Sequence, residues 1–186
     1  MGAGVIPFSV SEGKVYFLFQ TTFTGRKVGY YIDFGGGLDA GENFREAAIR
    51  EFVEETETMY FSDNVQQAIR TEERIKHQIP IVEALFDETL SEHPHWWCKR
   101  TPGNHPTPKL WRTFFIEFPH RDIEELNREW AADNVGRFKK RRELVWVAGR
   151  ELLTIYGNTP DKLWKRVRQL ENATETVHSI LLSKES

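Results

Sequence analysis

The chain has 186 residues, 39% hydrophobic and 28% charged, a length that favours one domain and a core large enough to fold without disulfides or a structural metal. Its 25 Lys and Arg nearly balance 28 Asp and Glu, leaving a formal net charge of −3, which excludes strong global steering toward nucleic acid. The single cysteine, Cys98, has no partner for an internal bridge, no run approaches the ~18–20 apolar residues of a membrane span, and no positive charge precedes the apolar N-terminal stretch. A cytoplasmic protein is therefore expected.

Val5-Ile6-Pro7-Phe8 and the run from Val15 to Phe19 read as two strands joined by a turn over 11–14. A third extended piece, from Tyr30 to Phe34, runs into Gly35-Gly36-Gly37. From Asn43 to Glu55 good helix formers follow one another without Gly or Pro. A second, more polar helix is expected over 63–77, then a strand from Ile79 to Phe86 with Pro80 at its start or edge. Residues 87–109, rich in Pro, His and Trp, read as a long irregular loop. A strand from Leu110 to Phe118, a helix from Asp122 to Ala132, a basic stretch, a short strand from Leu144 to Val147 and a helix from Arg150 to Ile155 follow. Thr159 as N-cap and Pro160 at the first helical position predict a last helix, about 160–182, with Leu163, Val167, Leu170, Val177 and Leu181 at helical spacing. This order suggests an α/β sandwich, a single domain over 1–186 with the C-terminal helix packed on it.

Residues 35–58 carry most of the functional information. Glu51, Glu54 and Glu55 stand at i, i+3 and i+4, crowding one helical face, while Ile49, Phe52 and Val53 fall on the opposite, core-facing side. Ala47 and Ala48 fall on the acidic side, where small side chains would leave room for a ligand. Carboxylates at these spacings repel, and a hard divalent cation such as Mg²⁺ would offset that repulsion while sharing its other positions with substrate phosphates. Glycines 35–37 permit a tight turn and close approach of backbone to ligand. A solvated acidic face, with Glu46–Arg50 and Arg50–Glu54 as i, i+4 partners, is the plainer alternative for an isolated Glu triplet.

The triplet is not isolated. The segment resembles the Nudix box, G-x5-E-x7-R-E-U-x-E-E-x-G-U with U a bulky aliphatic residue: Gly36 opens it, Glu42 follows, and Arg50-Glu51, Phe52, Glu54 and Glu55 stand in register. The resemblance implies an α/β/α sandwich around a mixed sheet, here with an extra helix and a long loop after the box. It implies Mg²⁺- or Mn²⁺-dependent hydrolysis of a nucleoside diphosphate linked to another moiety. Carried over by position, Glu51, Glu54 and Glu55, with Gly36 beside them, would form the metal site, Glu55 or Glu51 lying close to the attacking water. Arg50 would orient the carboxylates, and Gly35, Gly37 and Glu42 would support the substrate loop or the metal shell. The late pattern Glu143-x-x-Trp146 resembles a family strand in which a further Glu is sometimes catalytic. The family's usual Gly and U after the paired glutamates are Glu57 and Thr58 here, Phe52 is aromatic, and Phe34 stands where Pro is frequent. Loss of the Gly removes a favoured left-handed helix stop, so a different helix end is expected. The rival reading is a non-catalytic Nudix-fold sensor of nucleotide or RNA.

Outside the box, Trp96, Trp97 and Trp111 are candidates for stacking on a base, against ordinary core packing. The basic run 137–142, with Arg137 and Lys139, would steer a polyphosphate or contact RNA, against a solvated loop. His93, His95, Cys98 and His105 match no closed zinc spacing. The expected partner is a nucleotide-derived small molecule rather than a membrane, with monomer and homodimer both open.

Overall fold

Along the first strand, β1 (Gly2–Ser11), alternate side chains enter two different cores. Ala3 and Val5 point to one face of the sheet, Ile6 and Phe8 to the other. Glu12 and Gly13, with φ of 50° and 77°, turn the chain into β2 (Lys14–Thr22) with Ser11 opposite Lys14. Positive φ at both central residues is the type I′ geometry that follows strand twist, and the expected hairpin forms. The structure, a computed structural model, describes residues 1–68, 71–101, 104, 106–107, 109–133, 138 and 142–186.

The sheet is completed by β3 (Phe34–Gly37), β4 (Trp97–Lys99), β5 (Trp111–Glu117) and β6 (Arg142–Ala148). Its order is β4-β5-β1-β2-β6, with β3 also pairing β1. β1 and β5 run parallel and the other named pairs antiparallel, so the sheet is mixed. Helices α1 (Phe44–Glu55), α2 (Glu72–Glu92) and α3 (Ile123–Ala132) bury Phe52, Val82, Phe86, Leu126 and Trp130 against one face. On the other face α4 (Gly149–Asn158), the single turn α5 (Lys165–Arg168) and α6 (Ala173–Lys184) supply Leu152, Val167 and Val177. The architecture is an α/β/α sandwich around a mixed sheet, as expected. Among the described residues no helix is long and apolar enough to cross a membrane.

Four local expectations are corrected. Residues 63–68 form turns, and the helix expected over 63–77 starts instead at Glu72, where the Thr71 side chain caps it by accepting from the Arg74 amide. The strand expected from Ile79 to Phe86 is the middle of that helix. Pro80 removes one amide and leaves the Lys76 carbonyl without its intrahelical donor. Both residues are exposed, so water can take up that carbonyl, and Gln78, Val82, Phe86 and Thr89 form the buried stripe. The segment 87–109 is not wholly irregular, since it holds the last turns of α2 and strand β4. The last helix is broken: Thr159 and Pro160 open only the 3₁₀ turn Pro160–Lys162. Tyr31 then donates to the Lys162 carbonyl at 2.8 Å and accepts from the Trp164 amide at 2.9 Å, drawing Leu163 into extended geometry.

Candidate active site

Asn43 starts α1 by accepting from the Glu46 amide at 2.9 Å while its own side chain donates to the Glu46 carboxylate at 2.8 Å. This reciprocal cap fixes where the helix begins, and hence which residues face outward. Ile49, Phe52 and Val53 are buried in the core as expected. Ala47 and Ala48 are also fully buried there, which corrects their expected place beside the ligand. They pack the helix tightly on β1 and β3 instead.

Arg50 organises the turn. Its Nε and Nη2 donate to the two oxygens of Glu42 at 2.8 and 2.9 Å, Nη2 also reaches the Gly37 carbonyl at 3.0 Å, and Nη1 donates to Glu51 at 3.1 Å and Glu54 at 3.2 Å. These charge-assisted bonds hold Glu42 below the usual carboxylate range, Arg50 contributing most. Gly36 leaves room for the Glu51 carboxylate, because a Cβ there would lie 2.6 Å from Glu51 Cδ. The Gly35 amide donates to Glu55 Oε1 at 2.5 Å.

The helix ends in a full Schellman motif despite the missing glycine. The Thr58 amide reaches the Val53 carbonyl and the Glu57 amide the Glu54 carbonyl, both at 3.0 Å, with φ of 61° and 51° at Thr58 and Glu57. The expected difference in the helix end is thus absent: the same geometry is reached by two residues for which it is strained.

Glu51, Glu54 and Glu55 line one cavity of about 220 Å³ together with Gly35, Lys27, Glu57 and Arg142. Burial pushes the Glu51 carboxyl up, reinforced by Glu55 and Glu54 and opposed by Arg50. Lys27 sits 5.2 Å from the Trp164 ring centroid, and its ammonium is pushed down by burial and by the neighbouring Arg166. Among the described residues no three His, Cys, Asp or Glu side chains stand ready-made around a metal position; Arg50 pairs with Glu51 and Glu54, and Arg142 with Glu55. The donor set nevertheless suits a hard divalent cation: three half-buried glutamates on one cavity, with Glu51 crowded by the other two.

Other candidates stand elsewhere. Trp96 is a core residue, stacked on His93 at 3.6 Å between ring centroids and donating its indole N–H to Ser179 at 3.1 Å. Trp97 stacks on Arg112 at 4.3 Å and lines a different cavity of about 290 Å³. Trp111 lies across a glycine track: a Cβ at Gly4 or Gly35 would approach its ring to 3.1 or 3.0 Å. Glu143 is exposed on β6 and does not line the glutamate cavity. Arg137, Lys139 and His105 lie outside the described residues. Arg142, the last residue of the basic run 137–142, lines the cavity, together with Lys27 and Glu57, which sequence reasoning does not place at the site. Strand alternation sets Arg142 apart from the exposed Glu143, its neighbour on β6.

No protein-family model matches the chain. A 62-residue segment, 32% of the chain, is 39% identical to an uncharacterized protein of Acanthamoeba polyphaga mimivirus, and the chain spans about a fifth (20%) of that relative's length. Among solved structures it is similar to the C. elegans Ap4A hydrolase in a binary complex, at 13% identity over 98% of this chain and 97% of that one, TM-score 0.46. It is also similar to a mutT/nudix family protein from Listeria innocua, at 15% identity over 98% and 93%, TM-score 0.48. The Nudix domain of Shewanella oneidensis NrtR, complexed with ADP ribose, matches at 8% identity over 97% and 86%, TM-score 0.43.

Proposed function

We propose that the protein is a Mg²⁺- or Mn²⁺-dependent Nudix pyrophosphohydrolase, a single-domain cytoplasmic enzyme that cuts the diphosphate of a nucleoside diphosphate linked to another moiety. The observation that carries this reading is the meeting of Glu51, Glu54 and Glu55 on one cavity beside the glycine turn. The Nudix-box resemblance supports it, with every charged position of the motif filled.

Glu51, Glu54 and Glu55, with the backbone at Gly36, would hold the cation, which when bound lowers the pKa of an attacking water and neutralises charge on the phosphoryl oxygens. Arg50 keeps Glu51 and Glu54 oriented and is itself locked by Glu42. Gly35 brings its backbone to the cavity without a side chain, Gly37 anchors Arg50 through its carbonyl, and Lys27 offers a cation to an anionic substrate. The products are a nucleoside monophosphate and a phosphorylated partner.

The test is product mass analysis on a panel of nucleoside diphosphate derivatives with Mg²⁺ or Mn²⁺, with Glu54→Gln in parallel. Metal-dependent turnover lost in the variant supports the enzyme. A second reading, a non-catalytic nucleotide sensor, is favoured by Glu55 being held by Gly35, Gln20 and Arg142. Nucleotide binding without turnover in either protein would establish it instead.

A further inference from the structure

Glu55 is held by a cation from the far strand. Arg142 Nη1 donates to Glu55 Oε2 at 2.7 Å, and Gln20 Nε2 donates to the same oxygen at 3.1 Å, while Oε1 accepts from the Gly35 amide. Gln20 is itself fixed: its Nε2 donates to the Asp33 carbonyl at 2.8 Å and its Oε1 accepts from Arg142. The ion pair is sheltered, with the Arg142 and Glu55 side chains 10% and 15% exposed, and it opens on the cavity that Glu51 and Glu54 share. In a pocket built for a cation among carboxylates, a guanidinium already neutralises one of them.

Each member of this pair prefers a partner that the proposed reaction would bring. A carboxylate is a natural ligand of a hard divalent cation, and a guanidinium matches the oxygens of a diphosphate in a two-pronged fork. Resting on the function proposed above, we infer that Arg142 is a diphosphate-binding residue whose guanidinium passes from Glu55 to the phosphoryl oxygens as the divalent cation takes Glu55. Cation and diphosphate then each release the partner that the other needs, so their binding is coupled.

The role of Arg142 is tested on the intact chain with two probes: Mn²⁺ alone, followed by electron paramagnetic resonance, and α,β-methylene-ADP in EDTA, followed by calorimetry. Wild type, Arg142→Ala, Arg142→Lys and Glu54→Gln are compared after thermal melts establish that each is folded. Arg142→Ala should bind Mn²⁺ more tightly than wild type, because the competing cation is gone. It should bind the diphosphate roughly tenfold or more weakly, the scale of one lost charge-assisted contact. Arg142→Lys keeps the charge but not the fork and should fall between. Unchanged Mn²⁺ and diphosphate affinities in a folded Arg142→Ala, with Mn²⁺ binding lost in Glu54→Gln, would overturn this inference and leave the proposed enzyme standing. Absence of Mn²⁺ binding from wild type would overturn both.

Discussion

Arg50 meets Glu42 side-on, each of two guanidinium nitrogens on its own carboxylate oxygen at 2.8 and 2.9 Å, and so closes the glycine turn onto the helix. The pair is mostly shielded, with side chains 15% and 16% exposed, and it holds the loop 37–42 by its two ends.

A pH dependence follows from that fork. Glu42 is held below its ordinary value near 4.5, chiefly by the Arg50 hydrogen bonds. Its contribution to stability is therefore complete above that value and is lost as pH falls through the lower, folded one. Glu42→Gln should be less stable than wild type at pH 7, and the two should converge in acid. Urea denaturation at pH 7, 5 and 3 measures this, and a constant difference across all three would refute it.

Glu57 occupies a left-handed position, φ 51°, that glycine adopts without strain. Glu57→Gly relieves roughly 1–2 kcal/mol of backbone strain and adds back part of that as unfolded-chain entropy. Its thermal midpoint should rise by about 2–4 °C for each kcal/mol retained. A lower midpoint would mean that the side-chain contacts of Glu57 outweigh its strained backbone.

Gly36 leaves no space for a methyl group, since a Cβ there would fall 2.6 Å from Cδ and 2.9 Å from Oε2 of Glu51. The obstacle is the end of a flexible side chain, so Gly36→Ala should displace the carboxylate rather than unfold the protein. Mn²⁺ binding should weaken while the melting midpoint stays within about 2–4 °C, the equivalent of 1 kcal/mol at this size. Full Mn²⁺ affinity in the folded variant would show that the position of Glu51 is not critical.

Legibility in the sequence tracked how local the cause was. The first hairpin, α1, β5 and α3 were readable because turn residues, caps and composition act within a few positions. The stretch 79–86 was misread as a strand because apolar composition and Pro80 look alike in both states, and only the buried 78-82-86-89 stripe separates them. The break at Leu163 was invisible, because its cause is Tyr31, far away in the chain. At the candidate site the box motif brought out Glu42, Arg50, Glu51, Glu54 and Glu55, whereas Arg142 and Lys27 arrive from β6 and the loop after β2, and only the folded sheet brings them there.

Two of the three glutamates, Glu54 and Glu55, also stand at the wrong end of their helix. Aligned peptide dipoles leave the C-terminus of α1 negative, and its last turn carries no basic residue, so Glu54 and Glu55 add charge where the backbone already repels it. Negative charge thus collects at the end of α1 because of the direction in which the helix runs, and the guanidinium groups of Arg50 and Arg142 are the cations that the fold sets against it.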